Sequence, residues 1–190
     1  MSSHKSPIQP VDAGGALRDA FVEVCENSFF AYVESCDAHR FAELAEQCSR
    51  VARALMDGDN RGVSFAENHS EWLKAAVGFG GAFNGAIEVI LPEPLAAWLV
   101  ASILGEPPET KLAEHQVFDG FGEFANMVCG AWLTNLSQRQ SFELRSPAVT
   151  RMAPDWTPLT DSSWNDEQGH RLVVNDLPVR VRLRSLGGPA

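Results

Sequence analysis

Three side chains of this 190-residue chain share a spacing that could do chemistry: Asp119, Glu123 and Asn126. At about 100° per residue, Glu123 lies about 40° to one side of Asp119 and Asn126 about 20° to the other. Two carboxylates and a carboxamide therefore project along one narrow stripe of a helix expected over Val117–Leu136. Phe118, Phe121, Ala125, Val128 and Trp132 recur on the opposite side and should face the core. The polar stripe is left facing water or a partner. A solvated face is the ordinary outcome for such a stripe. Two features point elsewhere. The stripe carries no Lys or Arg, whereas exposed faces commonly mix signs and gain from Glu–Lys pairs. Gly120, Gly122 and Gly130 lie on or beside it, and each glycine costs up to about 1 kcal/mol in a helix relative to alanine. Three of them imply a need for close approach. A flat, glycine-floored surface with one protruding carboxylate and one protruding carboxamide suits docking against another protein. Met127 and Leu133 flank it as an apolar grip.

Composition narrows the chemistry. The chain is 45% hydrophobic and 21% charged, which describes an ordinary globular protein with one well-filled core. Its formal net charge of −10 argues against nucleic acid or an anionic membrane as partner and permits a basic protein surface. No apolar run reaches the ~20 residues of a membrane span. The N-terminal MSSHKSPIQP has no apolar core of a signal peptide, so the cytoplasm is the expected location. Cys25, Cys36, Cys48 and Cys129 form no C-x-x-C pair, and Cys25 and Cys129 sit in apolar helical contexts as core thiols. The five histidines are scattered without metal-ligand spacing. There is no phosphate-binding loop, dinucleotide fingerprint or nucleophile elbow. Neither a metal nor a cofactor of the chain's own is expected.

The elements that must position the stripe follow from periodicity. Residues 1–15 read as a flexible lead-in and 16–185 as one domain. A first helix is expected from Ala16 to about Glu34, with Leu17, Phe21, Val24, Ser28 and Tyr32 on one face. Its other face carries Asp19, Glu23 and Glu26 at the offsets of Asp119, Glu123 and Asn126, a hint of duplication with glutamate in the amide position. A working site is not placed there. Asp37–Met56 reads as a second helix, ended by Asp57–Asn60, with a short strand at Gly62–Phe65. Trp72–Phe79 and Gly85–Leu91 form a hairpin around Gly80, Gly81 and Asn84, and the second strand is expected to be central. Pro92-Glu93-Pro94 opens a third helix that buries Leu95, Trp98, Leu99 and Ser102 or Ile103 and stops at Gly105. The long helix follows and ends near Arg139. Strands are expected at Phe142–Arg145, Val149–Met152, Arg171–Val174 and Val179–Leu183, the last with Arg180, Arg182 and Arg184 outward. Pro154–Gly169 reads as a loop. The fold class is α+β, a single domain with long helices on a largely antiparallel sheet.

The stretch GAIEVILPEPLAAWLVASILGEPPE followed by FDGFGEFANMVCGAWLTNL resembles the CheX/CheC/FliY chemotaxis phosphatases, and CheX most closely. In that family a strand, a proline-started helix and a Leu-Gly turn precede a helix bearing Glu-x-x-Asn, often with an acid or serine four residues before the Glu. Asp119, Glu123 and Asn126 match this pattern, and the likeness covers roughly Ala76–Arg151. It implies hydrolysis of the aspartyl-phosphate of a CheY-type response regulator. By this likeness Asn126 would hold the attacking water, Glu123 would pair with the regulator's active-site lysine, and Asp119, Gly122, Met127, Gly130 and Pro147 would belong to the docking surface. The Mg²⁺ would sit in the phosphorylated receiver domain, and joined sheets could make a homodimer. The chain departs from the family in three places. Pro147 lies nearer Asn126 than the family's distal proline does. The motif copy in the first helix is incomplete, and Asp37–Met56 has the character of an insertion. Two further readings stand beside the phosphatase: a non-catalytic adaptor that binds a receiver domain or another signalling protein, and a stand-alone relative of a flagellar-switch protein. An intact carboxamide at 126 favours catalysis over the adaptor.

Overall fold

The computed structural model describes residues 13–56, 72–136, 140–152 and 169–187, the side chains of 49–56 and 185–187 excepted. The elements are α1 (Ala13–Phe29), β1 (Val33–Ser35), α2 (Ala38–Met56), β2 (Trp72–Gly81), β3 (Asn84–Pro92), α3 (Glu93–Leu104), α4 (Glu114–Leu136), β4 (Phe142–Leu144), β5 (Ala148–Arg151), β6 (Gly169–Val174) and β7 (Leu177–Gly187). The seven strands form one sheet in the order β1-β6-β7-β3-β2-β4, with β5 also paired to β2. Every pairing is antiparallel. The fold is α+β. β3 is central, as its run of apolar residues requires, because both of its edges and both of its faces are covered.

Alternation divides the sheet into two faces. Val77, Phe79, Ile87, Val89, Val179, Val181 and Leu183 point to one face and join a core with α1, α3 and α4. Ile90, Glu88, Arg180 and Arg182 point to the other, where α2 packs through Phe41 and Ala45 on Trp72 and Ile90. The expected outward arginines are only partly solvated. Arg180 is buried with its guanidinium carbon 5.2 Å from the Phe41 ring centre, because α2 covers it. Glu88 is 2% exposed and accepts from Arg182 at 2.7 Å and Arg184 at 3.0 Å. A carboxylate so buried requires that pairing.

Several boundaries differ from the expectation. α1 begins at Ala13, inside the segment read as a lead-in, and ends at Phe29. Phe30 has φ of 52°, a left-handed conformation that breaks the helix. The chain then turns into β1, which is the sheet edge beside β6. Tyr32, expected on a buried helix face, is therefore exposed, and so is Ser28. The three-residue β1 was too short to show alternation. α2 starts where Asp37 Oδ1 accepts from the Arg40 amide at 2.8 Å. α3 has Pro92 at its N-cap and Gly105 at φ 69° after its last turn, as the proline and glycine placement requires. Its buried side is Leu95, Ala96, Leu99, Val100 and Ala101, whereas Ser102 and Ile103 are exposed. The turn and strand expected at 57–65, most of the 154–169 loop and the first twelve residues lie outside the described residues.

Candidate functional site

α4 lies on the sheet with its apolar stripe inward. Phe121, Ala125, Val128 and Trp132 are buried, and Phe118 is half-buried against them. Phe124 adds a contact that the stripe did not include: its ring meets Phe21 and Phe29 of α1 at 5.7 and 5.4 Å, edge-on. Trp132 Nε1 donates to the Ala13 carbonyl at 3.0 Å, which ties the end of α4 to the start of α1. With the inward side fixed in this way, Asp119 and Glu123 must face solvent, and both are exposed. Neither has a hydrogen-bond or ion-pair partner among the described residues.

Asn126 differs from its two neighbours. It is half-buried, and its Oδ1 is enclosed with no hydrogen-bond partner among the described residues. A buried amide oxygen without a donor costs about 1–3 kcal/mol. Among the described residues the stripe therefore holds two open carboxylates and one carboxamide whose hydrogen bonding is incomplete.

The glycines divide by function. Gly120 faces α3, where an added Cβ would stand 2.5 Å from Val100 Cγ1. Gly122 is buried, and its Cβ would stand 3.0 Å from Pro147 Cγ and 3.6 Å from Val149 Cγ2. The close approach that these two permit is within the molecule, so the expected glycine floor is not an open one at either position. Among the described residues nothing lies within 4 Å of a Cβ position at Gly130, which stays open. Met127 is 39% exposed and stays available as an apolar grip, whereas Leu133 is 4% exposed and belongs to the core. Leu133 falls at the border of the stripe, about 40° from Asp119, and sheet packing claims it. Pro147 is half-buried on Gly122 and so forms one wall beside the stripe, one turn from Asn126. Val100 of α3 stands on the other side, at Gly120.

Arg151 carries no mark in the sequence that sets it apart. Its Nη2 donates to Glu114 Oε1 at 3.0 Å and to Glu93 Oε1 at 3.4 Å, and its guanidinium lies over the Phe118 ring at 5.7 Å. Only pairing β5 with β2 brings it to the start of α4, and no local pattern announces that pairing.

The chemistry open to these residues is limited. Burial pushes the Cys25 and Cys129 thiols up to about 12 and Cys48 up to about 11, and raises Cys36. At neutral pH none offers a thiolate nucleophile. Among the described residues, no group of three or more His, Cys, Asp or Glu side chains could hold a metal ion. No helix among the described residues is long and apolar enough to cross a membrane. The acidic face of α1 borders a shallow groove of about 450 Å³, with Val33 and Ser35 in its wall. There Asp19 is held by Arg18 at 2.7 Å, and Glu23 accepts from Asn135 at 3.3 Å.

A family model described as the chemotaxis phosphatase CheX matches residues 73–154, the span from β2 through β5 that contains the α4 stripe and Pro147. None of the curated proteins searched matches the chain. Among solved structures, CheX of Desulfovibrio desulfuricans is 18% identical with a TM-score of 0.58, over 92% of this chain and 98% of that one. CheX of Vibrio vulnificus is 14% identical with a TM-score of 0.58, over 94% and 97%. FliY of Thermotoga maritima is 15% identical with a TM-score of 0.50, over 91% and 86%. These likenesses concern the fold, and the family match concerns the region that bears Glu123 and Asn126. Over residues 73–154 the chain is similar to the CheX family, and its α+β fold is the one seen in the solved CheX and FliY structures.

Proposed function

We propose that the protein is a phosphatase acting on the aspartyl-phosphate of a CheY-type response regulator. The receiver domain docks on the crest of α4. Glu123 pairs with a lysine of the receiver's active site, and Asp119 supports the docking. Asn126 enters the site and orients a water in line with the phosphorus. Water oxygen bonds to phosphorus as the bond from phosphorus to the aspartyl oxygen breaks, which releases inorganic phosphate and a free carboxylate; the water proton passes to phosphate or solvent. An acyl phosphate is intrinsically labile, and the receiver supplies Mg²⁺ to spread the developing charge. Placing one water is then a sufficient contribution, because fixing a reactant's geometry is a large part of a barrier. Met127, Gly130 and Pro147 border the crest and meet the partner, and Gly122 serves by seating Pro147.

The observation that carries this reading is the state of the three stripe residues. Among the described residues, two carboxylates stand without partners in solvent beside a carboxamide whose enclosed Oδ1 finds no donor. That is what a surface completed by another protein requires. The match of the surrounding region to a chemotaxis phosphatase model supports the reaction class. The test is the decay of phosphorylated CheY-type receivers with the native chain and with Asn126→Ala. Native acceleration that is lost in the variant supports the proposal. Binding without acceleration would make the chain an adaptor, and acceleration by both would place the chemistry elsewhere.

A further inference from the structure

β5 touches α4 at two heights. Pro147, just before the strand, and Val149 fill the notch at Gly122. Arg151, at the end of the strand, reaches Glu114 and the Phe118 ring on α4 and Glu93 at the start of α3. One guanidinium thus ties the first turns of two helices to one strand. The glycine contacts have a different consequence from the ion pair. At Gly120 and Gly122 the helix offers bare backbone to Val100 and Pro147, so these contacts set how closely α4 lies and resist rotation little. The buried Phe121, Phe124 and Trp132 decide which side of α4 faces inward, and Glu114 and Phe118, held at a distance from the axis, let Arg151 set the last few degrees of roll at the start of the helix.

We infer that Arg151 is a positioning residue for the α4 site, trimming the roll of the helix within the limits set by its core face and thereby where Asn126 and Glu123 project. A roll of about 10° moves a side-chain tip at a radius of about 5–6 Å by about 1 Å. A misplacement of that size can lower the rate of a positioned reaction about 100-fold. Ion pairs open to solvent contribute little to stability, and Glu114 is 69% exposed. The tether therefore matters to rate far more than to folding. This inference uses the proposed phosphatase activity for one of its two readouts.

The experiment compares the native chain with Arg151→Met, Arg151→Lys and, as a control on α1, Arg18→Met. Each is measured for decay of a phosphorylated receiver, for thermal unfolding, and for the side-chain amide resonances of Asn126 in the protein alone. Arg151→Met is expected to lower kcat about tenfold through Asn126, to raise KM by a smaller factor through Glu123, to leave Tm nearly unchanged, and to shift the Asn126 amide. Arg151→Lys retains the cation between Glu93 and Glu114 and restores most of the rate. Arg18→Met changes neither readout. An unchanged kcat in Arg151→Met, or a loss that follows only the unfolded fraction, would overturn the inference. If the native chain accelerates no receiver's decay, the phosphatase reading fails and the amide resonance alone decides: a shift in Arg151→Met that Arg151→Lys reverses supports the tether, and an unmoved resonance overturns it.

Discussion

α1 and α4 carry nearly the same exposed pattern, an acid, a second acid four residues on, and a third polar residue after three more. Their surroundings separate them. On α1, Asp19 is paired with Arg18 and Glu23 with Asn135, and the third residue is Glu26. On α4, Asp119 and Glu123 are unpartnered among the described residues, and the third residue is a half-buried carboxamide. α4 is also seated between Val100 and Pro147 by two glycines that α1 lacks at those offsets. Spacing alone therefore marks both helices, and only the amide, the free acids and the close seating mark one of them. A stripe whose charges are satisfied within the chain has little to offer a partner.

The comparison can be broken most directly at Asn126. Asn126→Ala is expected to lower kcat for receiver dephosphorylation about 100-fold, equivalent to about 2.7 kcal/mol of barrier. In that background Glu26→Asn completes the acid–acid–amide pattern on α1 and is expected to recover no activity. Recovery would show that spacing suffices. Next in size, Gly120→Ala should destabilise by about 1–3 kcal/mol in denaturant unfolding, since the new methyl collides with Val100. Gly130→Ala meets nothing among the described residues and should instead stabilise by up to about 1 kcal/mol through helix propensity. If both glycine variants behave alike, the seating argument for α4 is lost. Glu123→Lys should raise KM for the phosphorylated receiver with a smaller change in kcat, because it reverses a docking charge; an unchanged KM would remove Glu123 from the interface.

The smallest effect at neutral pH comes from the thiols. Cys25 and Cys129 titrate at about 12 in the folded chain against 9.0 for a free thiol, because burial disfavours the thiolate. The folded state thus holds these protons more tightly than the unfolded state. Their contribution to stability is complete below pH 9 and is lost as pH rises from 9 towards 12. Alkaline unfolding that begins above pH 9 and is shifted upward by Cys129→Ala checks the sign. Native Cys25 and Cys129 should also resist alkylation at pH 8.

Much of this was legible in the sequence because it rests on period and punctuation. The 3.6-residue period gave the inward side of α4, the Gly-rich turn gave the β2–β3 hairpin, and Pro92 to Pro94 with Gly105 bounded α3. What was not legible depends on contacts between distant segments. By period Leu133 lies beside the stripe, yet it is core, since the sheet decides where the buried sector ends. Gly122 belongs by spacing to an open floor, yet it is closed by Pro147, 25 residues later in the chain. Arg180 alternates outward as expected yet is covered by α2, whose place on the far face of the sheet no local pattern fixes. β1 is three residues long and was absorbed into the first helix, and Phe30 gave no sign of its left-handed turn.

The central claim is that Asn126 on α4 speeds loss of phosphate from a receiver aspartate. Its most direct measurement is the lifetime of a phosphorylated CheY-type receiver, taken with no addition, with the native chain and with Asn126→Ala at equal concentration. The account predicts a shortened lifetime with the native chain and a return to the intrinsic lifetime with the variant. Equal shortening by both chains would contradict it.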